Sequence, residues 1–247
     1  MKLPTPADVA EAARHLEPWI RRTPILRLQG PGARPVVLKL EGLQRSGSFK
    51  LRGALNKLMS LGDAARGGVV TASGGNHGLG VAWAGFLLGV PVRVYVPESA
   101  PTVKVQGIER AAGEVRLVPG AYPEAALAAR NTAASTGMPY VHAYDDPAVI
   151  AGQGTVVREL LEDAPEIQTV VVAVGGGGLA AGSVLAAGAR RVVGVEPYGA
   201  ATMHEALRAG RPVRLAQLES VAADALGAGQ AGALTYRVCA DGIDRVE

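Results

Sequence analysis

The segment IQTVVVAV, residues 167–174, constrains the fold of this chain more strongly than any other stretch of its sequence. After Thr169 it contains only valine and alanine, so a strand formed here is apolar on both faces. Such strands are typical of parallel sheets that helices cover on both sides. A run of glycines and small residues, GGGGLAAG, follows at once and predicts a tight turn into a helix. The sequence therefore predicts an α/β fold.

The same alternation of strands and helices runs through most of the chain. Apolar residues at helical spacing predict helices at residues 6–20, 48–61, 77–89, 100–113, 122–135 and 147–164. Short β-branched runs predict strands within residues 34–43, 67–73, 91–97, 114–120, 138–144, 167–174 and 190–197. The strands between residues 67 and 143 form a self-contained block. We therefore predict a smaller domain, residues 67–143, inserted into a larger domain of residues 1–66 and 144–247.

Composition excludes several classes of protein. Hydrophobic residues make up 48% of the 247 residues, so the chain can bury a core and is not disordered. The net charge is only +3 and the arginines are scattered, which gives no sign of a nucleic-acid surface. Cys239 is the single cysteine, which excludes a disulfide scaffold. Because no apolar run matches a signal peptide or a membrane span, we expect a cytoplasmic protein without membrane or nucleic-acid partners.

The glycines at 175–178 are the strongest local sign of a binding site. Glycines allow several backbone N–H groups to converge on an oxyanion, and the start of the following helix adds partial positive charge. The functional interpretation is a phosphate site, and the alternative is a tight, closely packed turn. The loop lacks the Lys and Ser/Thr of a P-loop. It fits a dinucleotide fingerprint only loosely, with Glu196 as the acidic residue.

A second glycine-rich turn, TASGGNHGLG at residues 71–80, also follows a predicted strand. Ser73, Asn76 and His77 lie among its glycines, at the end of a strand where open α/β sheets bind ligands. Their polar groups and backbone N–H groups can hold a carboxylate. The alternative is ordinary helix capping by Ser73 or Asn76.

The third candidate is Lys50, in SGSFKLRGA at residues 46–54. A lysine amine becomes a nucleophile when burial or nearby charge lowers its pKa, and Phe49 offers an apolar neighbour. Taken alone, the alternative of an exposed surface lysine is favoured. Together, a reactive lysine, a phosphate cradle and a carboxylate loop are the parts that pyridoxal phosphate and an amino acid substrate need.

In this order, SGSFKLRGA, SGGNHG and GGGGLAAG resemble the motifs of the pyridoxal-phosphate enzymes of fold type II. The serine/threonine dehydratase (threonine ammonia-lyase) and serine racemase branch is the most similar. The resemblance implies two three-layer domains with parallel or mixed sheets, as in the tryptophan-synthase-beta-like fold. It also implies pyridoxal 5'-phosphate as the cofactor, a small hydroxy amino acid as the substrate, and a homodimer.

The resemblance also implies roles for individual residues. Lys50 is the catalytic residue, which holds the cofactor aldehyde and later moves the proton at the substrate Cα. The implied cofactor-binding residues, with the phosphate on the glycine loop and the pyridine 3-oxygen on Asn76, are Phe49, Lys50, Asn76, Gly175, Gly176, Gly177, Gly178 and Leu179. The implied ligands of the substrate carboxylate, mainly through backbone N–H groups, are Ser73, Gly75, Asn76 and His77.

The implied reaction is loss of the β-hydroxyl from L-threonine or L-serine, which yields a 2-oxo acid and ammonia. Racemases of this branch carry a second serine where this chain has Gly74, which favours dehydration over racemisation. Some relatives bind a divalent cation through a Glu and an Asp. The matching positions here are Glu196 and Thr202, so the carboxylate pair is incomplete and we expect no metal, with Glu196 as the remaining candidate ligand.

Several alternatives remain open from the sequence. Members of this branch usually continue beyond the position of Glu247, and that part supplies the residue facing the pyridine nitrogen. The sequence is thus either a shortened variant or a fragment of a longer polypeptide. A non-catalytic relative that binds the cofactor or an amino acid is the first alternative function. A serine racemase and a nucleotide-binding oxidoreductase are weaker ones.

Overall fold

The computed structural model describes residues 2–220 and 222–247, and most of the predicted alternation is confirmed. The helices are α1 (Pro6–Leu16), α2 (Lys50–Leu61), α3 (Asn76–Leu88), α4 (Thr102–Arg110), α5 (Tyr122–Thr136), α6 (Pro147–Asp163), α7 (Gly178–Ala186), α8 (Thr202–Ala209), α9 (Ala223–Leu226) and α10 (Ala233–Gly242). The strands are β1 (Ile25–Gln29), β2 (Pro35–Lys39), β3 (Val69–Ala72), β4 (Val92–Pro97), β5 (Glu114–Val118), β6 (Thr169–Ala173), β7 (Arg191–Val195) and β8 (Arg245–Val246). None of the helices in these two ranges is long and apolar enough to cross a membrane.

Two parallel sheets form the framework, in the strand orders β3–β4–β5 and β6–β7–β8. The strand predicted within residues 34–43 does not join either of them. It pairs antiparallel with β1, with Ile25 opposite Lys39. The reason is the short connection of residues 30–34, where Gly32 has a φ of +67°, because parallel strands need a much longer crossover. This hairpin is absent from the sequence prediction.

The sheet β3–β4–β5 is covered on both faces. Val69 and Val94 pack on the side of α3 and α4, in a cluster that contains Ile108. Val70 lies on the opposite face, against Ala126 of α5, because successive side chains of a strand alternate between its two faces. This gives the predicted three layers, helix, sheet and helix. The first cluster also includes residues of α1 and α2, so it crosses the predicted boundary at residue 66, and the domain limits stay a prediction.

The edge strand β6 is less covered than its apolar sequence predicts. Val170 and Val172 are buried against α7, whereas Val171 on the other face is 64% exposed. That face borders a groove of about 770 Å³ between β2 and β6. We refer to it below as the β2–β6 groove.

The strand predicted at residues 138–144 is wrong. Only Tyr140 forms a β-bridge, to Val70. Nδ1 of His142 accepts hydrogen bonds from the backbone N–H groups of Tyr144 (3.3 Å) and Asp145 (2.9 Å), so the chain turns back before a strand can extend. Residues 141–146 instead form an irregular segment, called here the connector, that leads into α6.

Helix α2 packs between α3 and α6 so closely that backbone atoms of neighbouring helices are in contact. A Cβ on Gly80 of α3 would lie 3.1 Å from the carbonyl carbon of Lys50. A Cβ on Gly152 of α6 would lie 2.7 Å from the carbonyl oxygen of Arg52. Glycine is therefore needed at both positions, because two helices touch the backbone of the first turn of α2 from different sides.

Candidate active site

The first turn of α2, the β3–α3 loop and the β6–α7 loop meet at a cavity of about 420 Å³. The predicted site residues that line it are Lys50, Ser73, Gly75, Asn76, His77, Gly175 and Gly176. The connector, residues 225–229 and the segments that follow β4 and β5 form the rest of the wall. The remaining predicted residues, Phe49, Gly177, Gly178 and Leu179, do not line this cavity; Phe49 and Leu179 border the β2–β6 groove.

Lys50 directs its amine toward a backbone carbonyl. Nζ donates a hydrogen bond of 3.0 Å to the carbonyl oxygen of Ala143 in the connector, and it lies 5.2 Å from the ring centroid of Phe49. Burial lowers the pKa of Lys50 to about 8, because removal from water disfavours the charged amine. At neutral pH the uncharged amine, which is the form that attacks aldehydes, is therefore far more populated than in an exposed lysine.

We expect an NMR titration of isotope-labelled lysine to give Lys50 a midpoint near pH 8. The Lys50→Arg variant assigns the signal. The pKa of Lys50 in the folded protein lies below the ordinary value of 10.5. Between these two pH values the unfolded chain therefore binds more protons than the folded one. The contribution of Lys50 to the free energy of unfolding therefore rises as pH increases from about 8 to about 10.5. A Lys50 midpoint at the ordinary value contradicts the burial of this amine.

The β3–α3 loop presents free donors to the cavity. Ser73 Oγ accepts a hydrogen bond of 3.1 Å from the N–H of Gly75, so this N–H is already used. The N–H groups of Asn76 and His77 belong to the first turn of α3, which has no intrahelical acceptors for them. The Asn76 side-chain amide is exposed and bonds to no residue in the described part of the chain. These groups suit an anion such as a carboxylate.

Helix capping, the alternative function of this loop, is not observed. The N-cap residue of α3 is Gly75, which has no side chain to form a cap. Ser73 bonds within the loop, and Asn76 is already the first residue of the helix. Neither of the two polar side chains is therefore used to begin α3.

The imidazole of His77 is buried and hydrogen-bonded to groups inside the protein. Its Nε2 lies 2.9 Å from Thr71 Oγ1 and 3.2 Å from the carbonyl oxygen of Val141. Burial, reinforced by the charge of Lys50, lowers the pKa of His77 to about 3, so the ring is neutral. Through Nε2 the ring joins β3 to the connector, and the backbone N–H of His77 is left for a ligand.

Side-chain hydroxyls hold the carbonyl groups of the glycine loop. Thr202 Oγ1 donates to the carbonyl oxygen of Gly175 (2.5 Å). Thr235 Oγ1 donates to that of Gly176 (2.7 Å). Thr202 and Thr235, which lie 27 and 59 positions away in sequence, therefore set the orientation of these two peptide groups.

The N–H groups of the same loop are free. Those of residues 175–179 donate to no other residue within the described ranges. Gly177 has a φ of +93°, and a Cβ on Gly178 would lie 2.9 Å from Cβ of Tyr144. The loop is thus a row of unpaired donors at the start of α7, with no room for side chains. This arrangement suits a phosphate.

The connector is the part of the site that sequence patterns do not reveal. Its carbonyls hold Lys50 and His77, and the ring of Tyr144 covers the glycine loop. The Asp145 carboxylate accepts a hydrogen bond of 2.8 Å from the N–H of Leu234 and so caps α10. The contacts with Lys50 and His77 are made by the backbone, which leaves no residue-type signal. Only Asp146, followed by proline, has a recognisable signature, and it caps α6.

Glu196, the candidate metal ligand, begins a helix instead. Its carboxylate accepts hydrogen bonds from the N–H groups of Met203 (2.9 Å) and His204 (2.8 Å) at the start of α8. Burial raises the pKa of Glu196, while these hydrogen bonds act in the opposite direction. In the described part of the chain, no group of three or more His, Cys, Asp or Glu side chains is placed to hold a metal ion.

Comparison with known proteins shows the family to which the chain belongs. The sequence model of the family described as "Pyridoxal-phosphate dependent enzyme" matches residues 16–247. The chain belongs to this family. The predicted family resemblance and the predicted cofactor, pyridoxal 5'-phosphate, are thereby confirmed.

Individual relatives cover nearly all of the chain. It is 37% identical over 246 residues to an L-threonine ammonia-lyase of Geobacter sulfurreducens, with 96% of this chain and 61% of the relative covered. It is 38% identical over 252 residues to a serine racemase of Arabidopsis thaliana, with 97% and 74% covered. The chain thus spans about three fifths of the length of the Geobacter enzyme.

Solved structures confirm the predicted fold class. Maize serine racemase superposes with a TM-score of 0.94 at 33% identity, over 99% of this chain and 76% of that one. The processed form of threonine deaminase isoform 2 from Solanum lycopersicum gives a TM-score of 0.90 at 31% identity, over 99% and 77%. The chain therefore has the fold of the type II pyridoxal-phosphate enzymes.

The residues of the cavity and of the adjoining glycine loop fit this cofactor. Its phosphate needs several oriented donors, which the unpaired N–H groups of residues 175–179 offer. Its aldehyde needs an uncharged amine, and the buried Lys50 offers one. Its ring oxygen needs a donor, and the amide of Asn76 is unpaired among the described residues. The individual residue roles stay predictions.

Proposed function

We propose that the protein converts L-threonine or L-serine into a 2-oxo acid and ammonia, with the β-hydroxyl lost as water and one water taken up again in the final hydrolysis. The observation that carries the proposal is a single cavity lined both by Lys50, whose amine has a pKa of about 8, and by two glycine-rich loops that carry two sets of N–H groups unpaired among the described residues. One set, on the β3–α3 loop, suits a carboxylate, and the other, on the β6–α7 loop, suits a phosphate. The relatives named threonine ammonia-lyase support the reaction.

Each group of residues has one task in this proposal. The glycine loop at 175–179 holds the cofactor phosphate, and the amide of Asn76 bonds the ring oxygen. The N–H groups of Asn76 and His77 hold the substrate carboxylate. Among the described residues that line the cavity, Lys50 is the only charged one, which supports a substrate with a small, uncharged side chain.

Lys50 is the proton-transfer residue of the proposal. Pyridoxal phosphate, when bound, would supply an electron-withdrawing group that makes the Cα proton of the substrate acidic. The uncharged amine of Lys50 takes this proton as a general base. The carbonyl of Ala143 keeps the amine directed into the cavity. Loss of the β-hydroxyl as water follows, and hydrolysis of the released enamine gives the 2-oxo acid and ammonia.

The residue at position 74 supports elimination over racemisation. Racemisation needs a second proton donor on the other face of Cα, and Gly74 has no side chain to provide one. The site also has little space for such a donor. A Cβ on Gly74 would lie 3.0 Å from Cβ of Ala100 and 3.2 Å from Cγ1 of Val96.

The test is a product analysis with purified protein and added pyridoxal 5'-phosphate. We expect L-threonine and L-serine to release ammonia and the 2-oxo acid in equal amounts, and L-serine to form no D-serine. D-serine as the main product favours the racemase alternative, which relatives named serine racemase also support. Cofactor binding without any product favours the non-catalytic alternative. The same proposal includes a homodimer, a cytoplasmic location and the two predicted domain ranges. Sedimentation of the purified protein tests the homodimer.

A further inference from the structure

A buried ion network adjoins the first turn of α2. Arg52, two residues after Lys50, has no exposed surface. Its guanidinium forms five hydrogen bonds, two with Glu41 (2.8 Å each), two with Glu159 (2.7 and 2.8 Å) and one with Thr155 (3.2 Å). A guanidinium has five N–H groups, so every donor of Arg52 has a partner. This forked set of hydrogen bonds, called the fork below, fixes both the position and the rotation of the guanidinium group.

This network fixes the side of α2 opposite Lys50. Two residues in a helix are about 200° apart around the axis, so Lys50 and Arg52 point in nearly opposite directions. The N-cap residue, Phe49, makes no side-chain cap, so no cap defines where α2 begins. Further along α2, the Asn56 amide donates to the carbonyl of Ala148 (2.7 Å) and Lys57 pairs with Asp146 (2.7 Å). In the first turn, the five hydrogen bonds of Arg52 add a constraint on rotation about the axis, close to Lys50.

The network does not act on Lys50 through its charge. Lys39, whose side chain is 5% exposed, completes it with a 2.7 Å bond to Glu159. Arg52 and Lys39 therefore balance the two carboxylates of Glu41 and Glu159. The pKa of Lys50 is lowered by burial, and no member of the network contributes to that change. The effect on Lys50 is thus geometric.

We propose that Arg52 is a positioning residue for Lys50. By holding the rotation of α2, the contacts of Arg52 with Glu41 and Glu159 direct the Lys50 amine toward Ala143 and the glycine loop. The inference rests on the proposed role of Lys50, and it assigns to the buried network a task beyond stability.

The experiment separates covalent capture of the cofactor from its binding. Full-length protein is freed of cofactor and mixed with pyridoxal 5'-phosphate, and borohydride traps the bond to Lys50 at set times for mass analysis. Pyridoxine 5'-phosphate, which lacks the aldehyde, measures binding to the phosphate cradle alone. In Arg52→Lys, which keeps the charge and loses the fork, we expect capture to slow by roughly tenfold or more, because misplacement of a reacting atom has large effects. Affinity for pyridoxine 5'-phosphate stays unchanged.

The matched control is Lys39→Met, which weakens the same network from β2 without altering α2. We expect it to lower Tm while leaving the capture rate unchanged. If Arg52→Lys does not fold, Glu41→Gln takes its place, since it removes one of the two carboxylate oxygens of Glu41 that accept from Arg52 and should slow capture to a smaller extent. Equal slowing in the Lys39 variant, or an unchanged rate in the Arg52 or Glu41 variant, overturns the proposal. No substrate is used, so failure of the proposed dehydration is recorded separately, by the product analysis.

Discussion

Lys50→Ala is expected to reduce ammonia release from L-threonine by at least about 10³-fold, because the variant loses both the covalent attachment point and the general base. The carbonyl of Ala143 and the β3–α3 loop remain in place, so the cavity itself is preserved. The visible absorption band of lysine-bound cofactor is expected to disappear as well. Steady-state ammonia release and an absorption spectrum of the purified protein measure the two effects.

The control for this variant is Lys57→Ala in the same helix. Lys57 forms an ion pair of 2.7 Å with Asp146 and does not line the cavity. We expect this variant to keep both the absorption band and the turnover. If Lys50→Ala retains them too, Lys50 is not the catalytic residue, and the proposed function has to be built on another group.

Gly177→Ala is expected to lower the free energy of unfolding by about 3 kcal/mol, from backbone strain and overpacking together. At φ = +93° a residue with a Cβ is strained. The added Cβ would also lie 2.8 Å from Thr235 Oγ1 and 2.6 Å from the terminal methyl group of Met203. For a chain of this size, Tm should fall by roughly 6–12 °C. Thermal unfolding followed by circular dichroism measures it.

The same substitution should weaken cofactor binding, because Thr235 orients the carbonyl of Gly176 and with it the free N–H groups of the loop. Gly67→Ala is the matched control, since Gly67 has no heavy atom within 4 Å of an added Cβ and no positive φ. We expect Gly67→Ala to leave Tm and cofactor affinity nearly unchanged. A Gly177 variant as stable as the Gly67 variant contradicts the strain attributed to this turn.

Local sequence patterns were sufficient for the part of the fold from β3 to α5. There, apolar periodicity changes between strand and helix at each glycine or proline, and the elements follow it closely. The patterns failed at residues 138–144, where Pro139 cannot donate a backbone hydrogen bond and His142 bonds back to the chain. They also missed the β1–β2 hairpin, whose strands are too exposed for a clear alternation.

The candidate site was predictable where residue type itself carries the chemistry. Lys50, Asn76 and the glycines are unusual in their contexts, and three motifs in the correct order made the resemblance specific. The burial of Lys50 and the network of Arg52 were not predictable, because Arg52 and Glu159 are separated by 107 positions. Only the packing of α2 on α6 brings them together. The cap formed by Glu196 depends in the same way on the return of the chain at α8.

The connector has a consequence for how relatives of this chain can diverge. Within six residues, 141–146, one carbonyl holds His77, another holds Lys50, and two carboxylates start α10 and α6. Since the first two contacts use only the backbone, they place no demand on residue type at Val141 and Ala143, although Val141 is fully buried in the core and has to stay apolar. The spacing is constrained, because one inserted or deleted residue would move every later carbonyl out of register. In alignments of this family, an ungapped stretch here should persist even where its residues no longer match.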